Sequence, residues 1–164
     1  MQTLLTDVAD LVRRLLRLIP GYQDLDWSVT PAAVWRVDRW DGALVAHPDI
    51  DQIRLDDLLF VEDQKVALVQ NTLQFLAGAP ANNALLWGAR GTGKSSLVHA
   101  LLDEYFDSGL RLIEVEKASL ARLPDIALSL REGPYRFLVF CDDLSFEADD
   151  ASYKGHKSAL EGSI

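Results

Sequence analysis

The octapeptide Gly88-Ala89-Arg90-Gly91-Thr92-Gly93-Lys94-Ser95, set within "LLWGARGTGKSSLV", constrains this chain more than any other stretch. It matches G-x-x-x-x-G-K-[ST] in full. The apolar run "NALLW" before it predicts a short buried strand ending at Gly88. The stretch after it predicts a helix over 94–107, with Leu97, Leu101 and Tyr105 on one face and Gly109 as C-cap. Strand, glycine-rich turn and helix in that order form the context a phosphate loop needs, and a chance glycine-rich turn lacks it. Glycines allow backbone angles that side chains forbid, so successive N–H groups can turn inward around phosphate oxygens. Lys94 brings a mobile ammonium to the outer phosphates, Ser95 offers a hydroxyl to Mg²⁺, and the helix adds its positive end beneath them. The candidate phosphate-binding set is Gly88, Ala89, Arg90, Gly91, Thr92, Gly93, Lys94, Ser95 and Ser96.

The chain around the loop alternates between strand and helix patterns. Val66, Val69, Leu73 and Leu76 form a helical stripe opened by Glu62 and Asp63 and closed by Gly78 and Pro80. "LRLIEV" reads as the next strand. A helix from Pro124 to about Arg131 follows, then Gly133-Pro134 and a third strand, "RFLVFC". Nearly continuous apolar strands joined by helices predict an α/β fold, a parallel sheet with helices on both faces.

The third strand ends in Asp142-Asp143. An acid at the end of a strand near a phosphate loop orients Mg²⁺, often through water, which assigns Ser95 and Asp142 to the metal. A second acid can polarise the attacking water. Asp143 is the candidate base, and Lys94 joins it in the catalytic set. Aspartate is one methylene shorter than the commoner glutamate, so Glu147 is a substitute for that role. Cys141 reads as a small core residue and His99 as structural or exposed. No Cys/His spacing suggests a metal centre.

With 164 residues and 49% hydrophobic content, the chain can bury one core. The net charge of −9 speaks against a duplex-binding surface. No apolar run reaches the roughly 18 residues a bilayer requires, and charges interrupt the apolar N-terminus, unlike a signal peptide. With a single cysteine, the pattern fits a cytoplasmic protein. Residues 3–19 predict an amphipathic helix with Leu4, Val8, Leu11, Leu15 and Leu18 on one face, stopped by Pro20-Gly21. It packs on its own domain, docks on a partner or lies on a membrane surface. Residues 21–57 lack clear periodicity, though "AAVWRV" suggests a strand. They carry Trp27, Trp35 and Trp40, as core, interface or ligand surface.

The stretches "NTLQFLAGAPANNALLWGARGTGKSSLVHALL", "LRLIEVEK", "RFLVFCDDLSFEADDASYK" and "ALEGSI" resemble the bacterial AAA+-type ATPases grouped as domain of unknown function 815. The likeness covers roughly residues 45–164. It implies an AAA+-like P-loop NTPase core with ATP and Mg²⁺ as cofactors, and "IRLDDLLFVEDQK" as the segment that walls the adenine. Phe60 stands where such proteins often have glycine. The likeness also implies a later strand with a sensor residue between the loop strand and the acidic strand, then a helical lid. An arginine from a neighbouring subunit completes such sites. The chain stops at Ile164, before that strand and lid. The expected organisation is an N-terminal helical and irregular segment (1–45) and the N-terminal part of an AAA+-like ATP-binding domain (46–164). The expected role is an ATPase that remodels or switches a protein partner, working as a homo-oligomer. A nucleotide-dependent binding module with little hydrolysis and a P-loop phosphotransferase are the alternatives.

Overall fold

The computed structural model describes residues 25–37, 42–130 and 133–142. The expected helix over 3–19, Trp40, Asp143, Glu147 and the final segment lie outside the described residues.

Four strands form one sheet in the order β2-β1-β3-β4: β1 (Ala32–Val37), β2 (Gly42–Ala46), β3 (Leu110–Glu114) and β4 (Arg136–Phe140). β1 runs antiparallel to β2 and parallel to β3, and β3 runs parallel to β4. Strands β1, β3 and β4 fall where "AAVWRV", "LRLIEV" and "RFLVFC" predict them. The hairpin β1–β2 packs tightly at its turn end. A Cβ on Gly42 would come within 2.0 Å of the Trp35 ring, so no larger residue fits there. Trp35 is thereby a core residue.

Alternation along β1 and β3 divides the core in two. Ala33, Trp35, Ile113 and Val115 face α3 (Leu123–Ser129) and the preceding 3-10 turn, meeting Leu120 and Ile126. Ala32 and Leu112 face the opposite way, onto Val98 and Leu102 of α2 (Lys94–Tyr105). Helices therefore cover both faces, and the architecture is a P-loop NTPase-like α/β fold with a mixed, mostly parallel sheet. The ends of α2 and α3 fall within two residues of those expected.

Two expectations fail. The segment "NALLW" is no strand: residues 81–87 carry no regular structure, and Leu85 and Trp87 are 68% and 87% exposed. A strand exists only through a hydrogen-bonded neighbour, and among the described residues none is paired to this segment. β4, the sheet's last described strand, does not pair with it. The second failure concerns α1 (Glu62–Leu76), whose predicted stripe is only partly covered. Val69 and Leu76 are half-buried, Val66 and Leu73 are exposed, and the residue it fully buries is Thr72. Lys65 Nζ bonds the carbonyls of Leu55 and Leu58 at 3.1 and 2.6 Å and holds the N-terminal turn.

The least expected core member is Arg111 of β3, 3% exposed. Its guanidinium donates to the carbonyls of Trp27 (2.6 Å), Phe106 (2.8 Å) and Leu110 (2.6 Å). The rings of Phe106 and Tyr135 lie 3.9 and 4.3 Å from its Cζ. A rigid, planar fork reaches carbonyls from three places through two separate nitrogens, Nε and Nη1, where a lysine offers one ammonium centre. Substituting Arg111→Leu should cost at least about 2 kcal/mol, because one hydrogen bond to a charged group contributes roughly 1.5–3. Urea unfolding would show this as a lower midpoint at unchanged slope. Arg111→Lys should not restore it, and a midpoint equal to wild type in either variant would refute the clamp.

Candidate phosphate and metal site

The loop between residue 87 and α2 is built on left-handed glycines. Gly88, Gly91 and Gly93 have φ of 144°, 80° and 82°. At Gly93, the N-cap of α2, a Cβ would meet nothing within 4 Å, so the demand there is conformational rather than steric. Inside the loop, Thr92 Oγ1 donates to the Ala89 carbonyl at 2.9 Å. Lys94 Nζ donates to the carbonyls of Gly88 (3.2 Å) and Ala89 (2.9 Å). The ammonium thus lies over the loop's own backbone. Gly88 to Thr92, including Arg90, are exposed, and Gly93 to Ser96 are half-buried.

The acidic strand end meets the loop. Ser95 Oγ donates to Asp142 Oδ2 at 2.9 Å, across 47 positions of sequence. Sequence spacing alone could not fix that distance. It follows from β3–β4 pairing, which brings Phe140 level with Glu114, and from α2 lying across Leu112 and Leu138. A hydroxyl and a carboxylate are hard oxygen donors of the kind Mg²⁺ takes, with phosphate and water completing its shell. Among the described residues no three His, Cys, Asp or Glu side chains converge as a metal cage. Asp143 and Glu147, the candidate bases, lie outside the described residues.

Cys141 packs against the Trp35 cluster as expected. Burial, and then the Asp142 carboxylate, push its thiol up and keep it protonated. Phe60, just before α1, adopts φ 65° with its ring 93% exposed. A phenylalanine thus holds the left-handed geometry that suits the glycine common there.

A polar cluster beside this site escaped the sequence reading. Glu114, at the end of β3, accepts from His47 Nε2 at 3.1 Å through Oε2. Its Oε1 lies 3.5 Å from His99 Nε2 of α2, an electrostatic contact longer than a good hydrogen bond. His99 is 12% exposed and its ring meets Phe140 edge-on at 6.5 Å. The available signal was an acid closing a buried strand.

Comparison with known proteins bears on the same residues. The family model described as "Protein of unknown function (DUF815)" matches residues 28–164. The chain belongs to the DUF815 family. A shorter likeness links this DUF815 chain to the replication factor C large subunit of Ignicoccus hospitalis, 36% identical over 75 residues. That stretch is 44% of this chain and 15% of the relative, so the chain matches only a small part of that protein. No solved structure matches. Among the described residues, no helix is long and apolar enough to cross a membrane.

The contact with His99 holds the Glu114 carboxyl below its ordinary value of 4.5, with His47 adding to the effect and partial burial opposing it. A depressed carboxylate contributes stability that is present above the ordinary value and lost as pH falls through the folded one. Wild type should therefore exceed Glu114→Gln in stability near neutral pH, and the gap should close on acidification below about 4.5. Denaturant midpoints at several pH values test this, and a gap independent of pH would contradict it.

Proposed function

We propose that this DUF815 chain carries the ATP-binding part of an AAA+-type ATPase. The observation that supports it best is the 2.9 Å bond between Ser95 and Asp142, which joins the loop to the acid at a strand end. A glycine-rich turn without nucleotide chemistry has no reason to meet such an acid. In this reading the N–H groups from Gly88 to Ser96 surround the phosphates and Lys94 neutralises the outer two. Ser95 and Asp142 hold Mg²⁺, which when bound offsets phosphate charge. Asp143 orients the attacking water, with Glu147 as the other candidate. Hydrolysis drives remodelling or switching of a partner protein. The relative's name marks it as a subunit of an assembly, which favours an oligomer here as well. A cytoplasmic location agrees with this reading.

One sequence feature favours a second reading, a nucleotide-dependent binding module that hydrolyses slowly. Asp143 is shorter than the glutamate usual in its role, so its carboxylate reaches less far toward water. Turnover by the full-length protein separates the two.

Removing the Lys94 ammonium should weaken Mg-ATP binding roughly tenfold or more, since one charge-assisted hydrogen bond contributes about 1.5–3 kcal/mol. Calorimetry with Lys94→Ala measures it, and unchanged affinity refutes the site. Asp142→Asn should erase the gain in affinity that Mg²⁺ gives, whereas Asp143→Asn should leave that gain and slow turnover. The opposite pattern in nucleotide titrations with and without Mg²⁺ would reverse the two roles.

A further inference from the structure

Three polar contacts attach α2 and the β1–β2 hairpin to the C-terminal end of the sheet. The first is Ser95 to Asp142. One helical turn later, His99 meets Glu114, which lies level with Phe140, two residues before Asp142. The third is His47, directly after β2, on the other oxygen of the same carboxylate. Glu114 thus touches both the phosphate-loop helix and the exit of the hairpin. Both imidazoles bury ring nitrogens without hydrogen-bond partners, His47 Nδ1 and both nitrogens of His99. Apolar side chains in those places would avoid that cost, so packing alone does not explain two histidines converging on one acid.

We propose that Glu114 is a positioning residue for the nucleotide site: through His99 it sets the first turns of α2 against the ends of β3 and β4, and through His47 it ties that alignment to the β1–β2 hairpin. The proposal rests on the nucleotide-binding reading above. The loop backbone and Lys94 belong to one continuous segment, so their grip on phosphate is local. The metal pair is different, because Ser95 and Asp142 stand on separate elements whose relative placement must be kept. Loosening Glu114 therefore weakens the Mg²⁺-dependent part of ATP affinity and spares the Mg²⁺-free part.

The test uses the full-length protein and titrates ATP with excess Mg²⁺ and again in chelator, with thermal unfolding recorded for every variant. Glu114→Ala should reduce the ratio of the two affinities about two- to tenfold, the range one ordinary hydrogen bond spans, at unchanged Mg²⁺-free affinity. Glu114→Gln can accept from one imidazole and donate to the other, and should restore most of the ratio. Because Glu114→Ala strips two partners at once, His99→Leu and His47→Leu are measured beside it, and each should lower the ratio. Equal losses with and without Mg²⁺, following a lower unfolding temperature, would reduce Glu114 to a stability role and overturn the proposal. A wild-type ratio in both histidine variants would overturn it too, as would one in His47→Leu alone for the link to the hairpin. Wild type that binds no ATP under either condition refutes the nucleotide reading and this one together. A changed ratio confined to Asp142→Asn refutes only the positioning.

Discussion

Leu110, Leu112 and Ile113 of β3 are each no more than 1% exposed, and a strand shut off from water on both faces dictates much of what surrounds it. Its backbone needs a partner on each edge, and β1 and β4 supply them in parallel register. Parallel neighbours require crossovers, which place α2 on one face and α3 on the other. Burying a leucine or isoleucine contributes roughly 1.5–3 kcal/mol, whereas a single exposed hydrogen bond such as Ser95 to Asp142 contributes about 0.5–1.5 at most. Packing around β3 therefore positions the loop and the acid, and their bond reports that placement without producing it.

The site has the opposite character. Its loop is exposed, its glycines take left-handed angles, and its lysine rests on its own carbonyls. Free energy stored in the core holds this weakly bonded segment in place. α2 is the mechanical link, with five of its twelve residues buried while its first turn carries Lys94 and Ser95. A rigid helix with a mobile ammonium at its start suits a ligand that brings negative charge, because the fixed N-terminal end and the movable cation respond to the same phosphate.

How much of this was legible in the sequence depended on how local the signal was. The glycine-rich loop, α2, and the strands β1, β3 and β4 announce themselves through periodicity and turn chemistry that a few neighbouring residues complete. Asp142 stands out from its strand-end position alone, and the fold places it on Ser95. Where the deciding partner lies far along the chain, the pattern misleads. "NALLW" has strand composition, yet pairing decides whether a strand forms, and no described neighbour pairs with it. The stripe of Val66, Val69, Leu73 and Leu76 has helical spacing, yet only Val69 and Leu76 are half-buried, and the Lys65 bonds to the Leu55 and Leu58 carbonyls hold the first turn of α1. Arg111 looks like an ordinary surface charge in "LRLIEV" because its carbonyl partners, on Trp27 and Phe106, appear only when the sheet assembles. Glu114 and His47, 67 residues apart, were invisible for the same reason.

The lack of regular pairing at 81–87 bears directly on how the site is held. Were that segment hydrogen-bonded into the sheet, backbone bonds would fix the start of the loop relative to β4 from below. Among the described residues no strand pairs with it; the Asn71 side chain of α1 bonds the backbone N–H and carbonyl of Asn82, and Leu86 packs against the α2 cluster. The distance from Ser95 to Asp142 must then be kept from the far side, by α2 itself and by whatever holds α2 to the strand ends. Apolar packing of Val98 and Leu102 on Leu112 fixes the height of the helix above the sheet, but apolar contacts are non-directional and tolerate sliding along its axis. The 3.5 Å electrostatic contact of His99 with Glu114, one turn beyond Ser95, sits at one point of the helix and opposes such sliding.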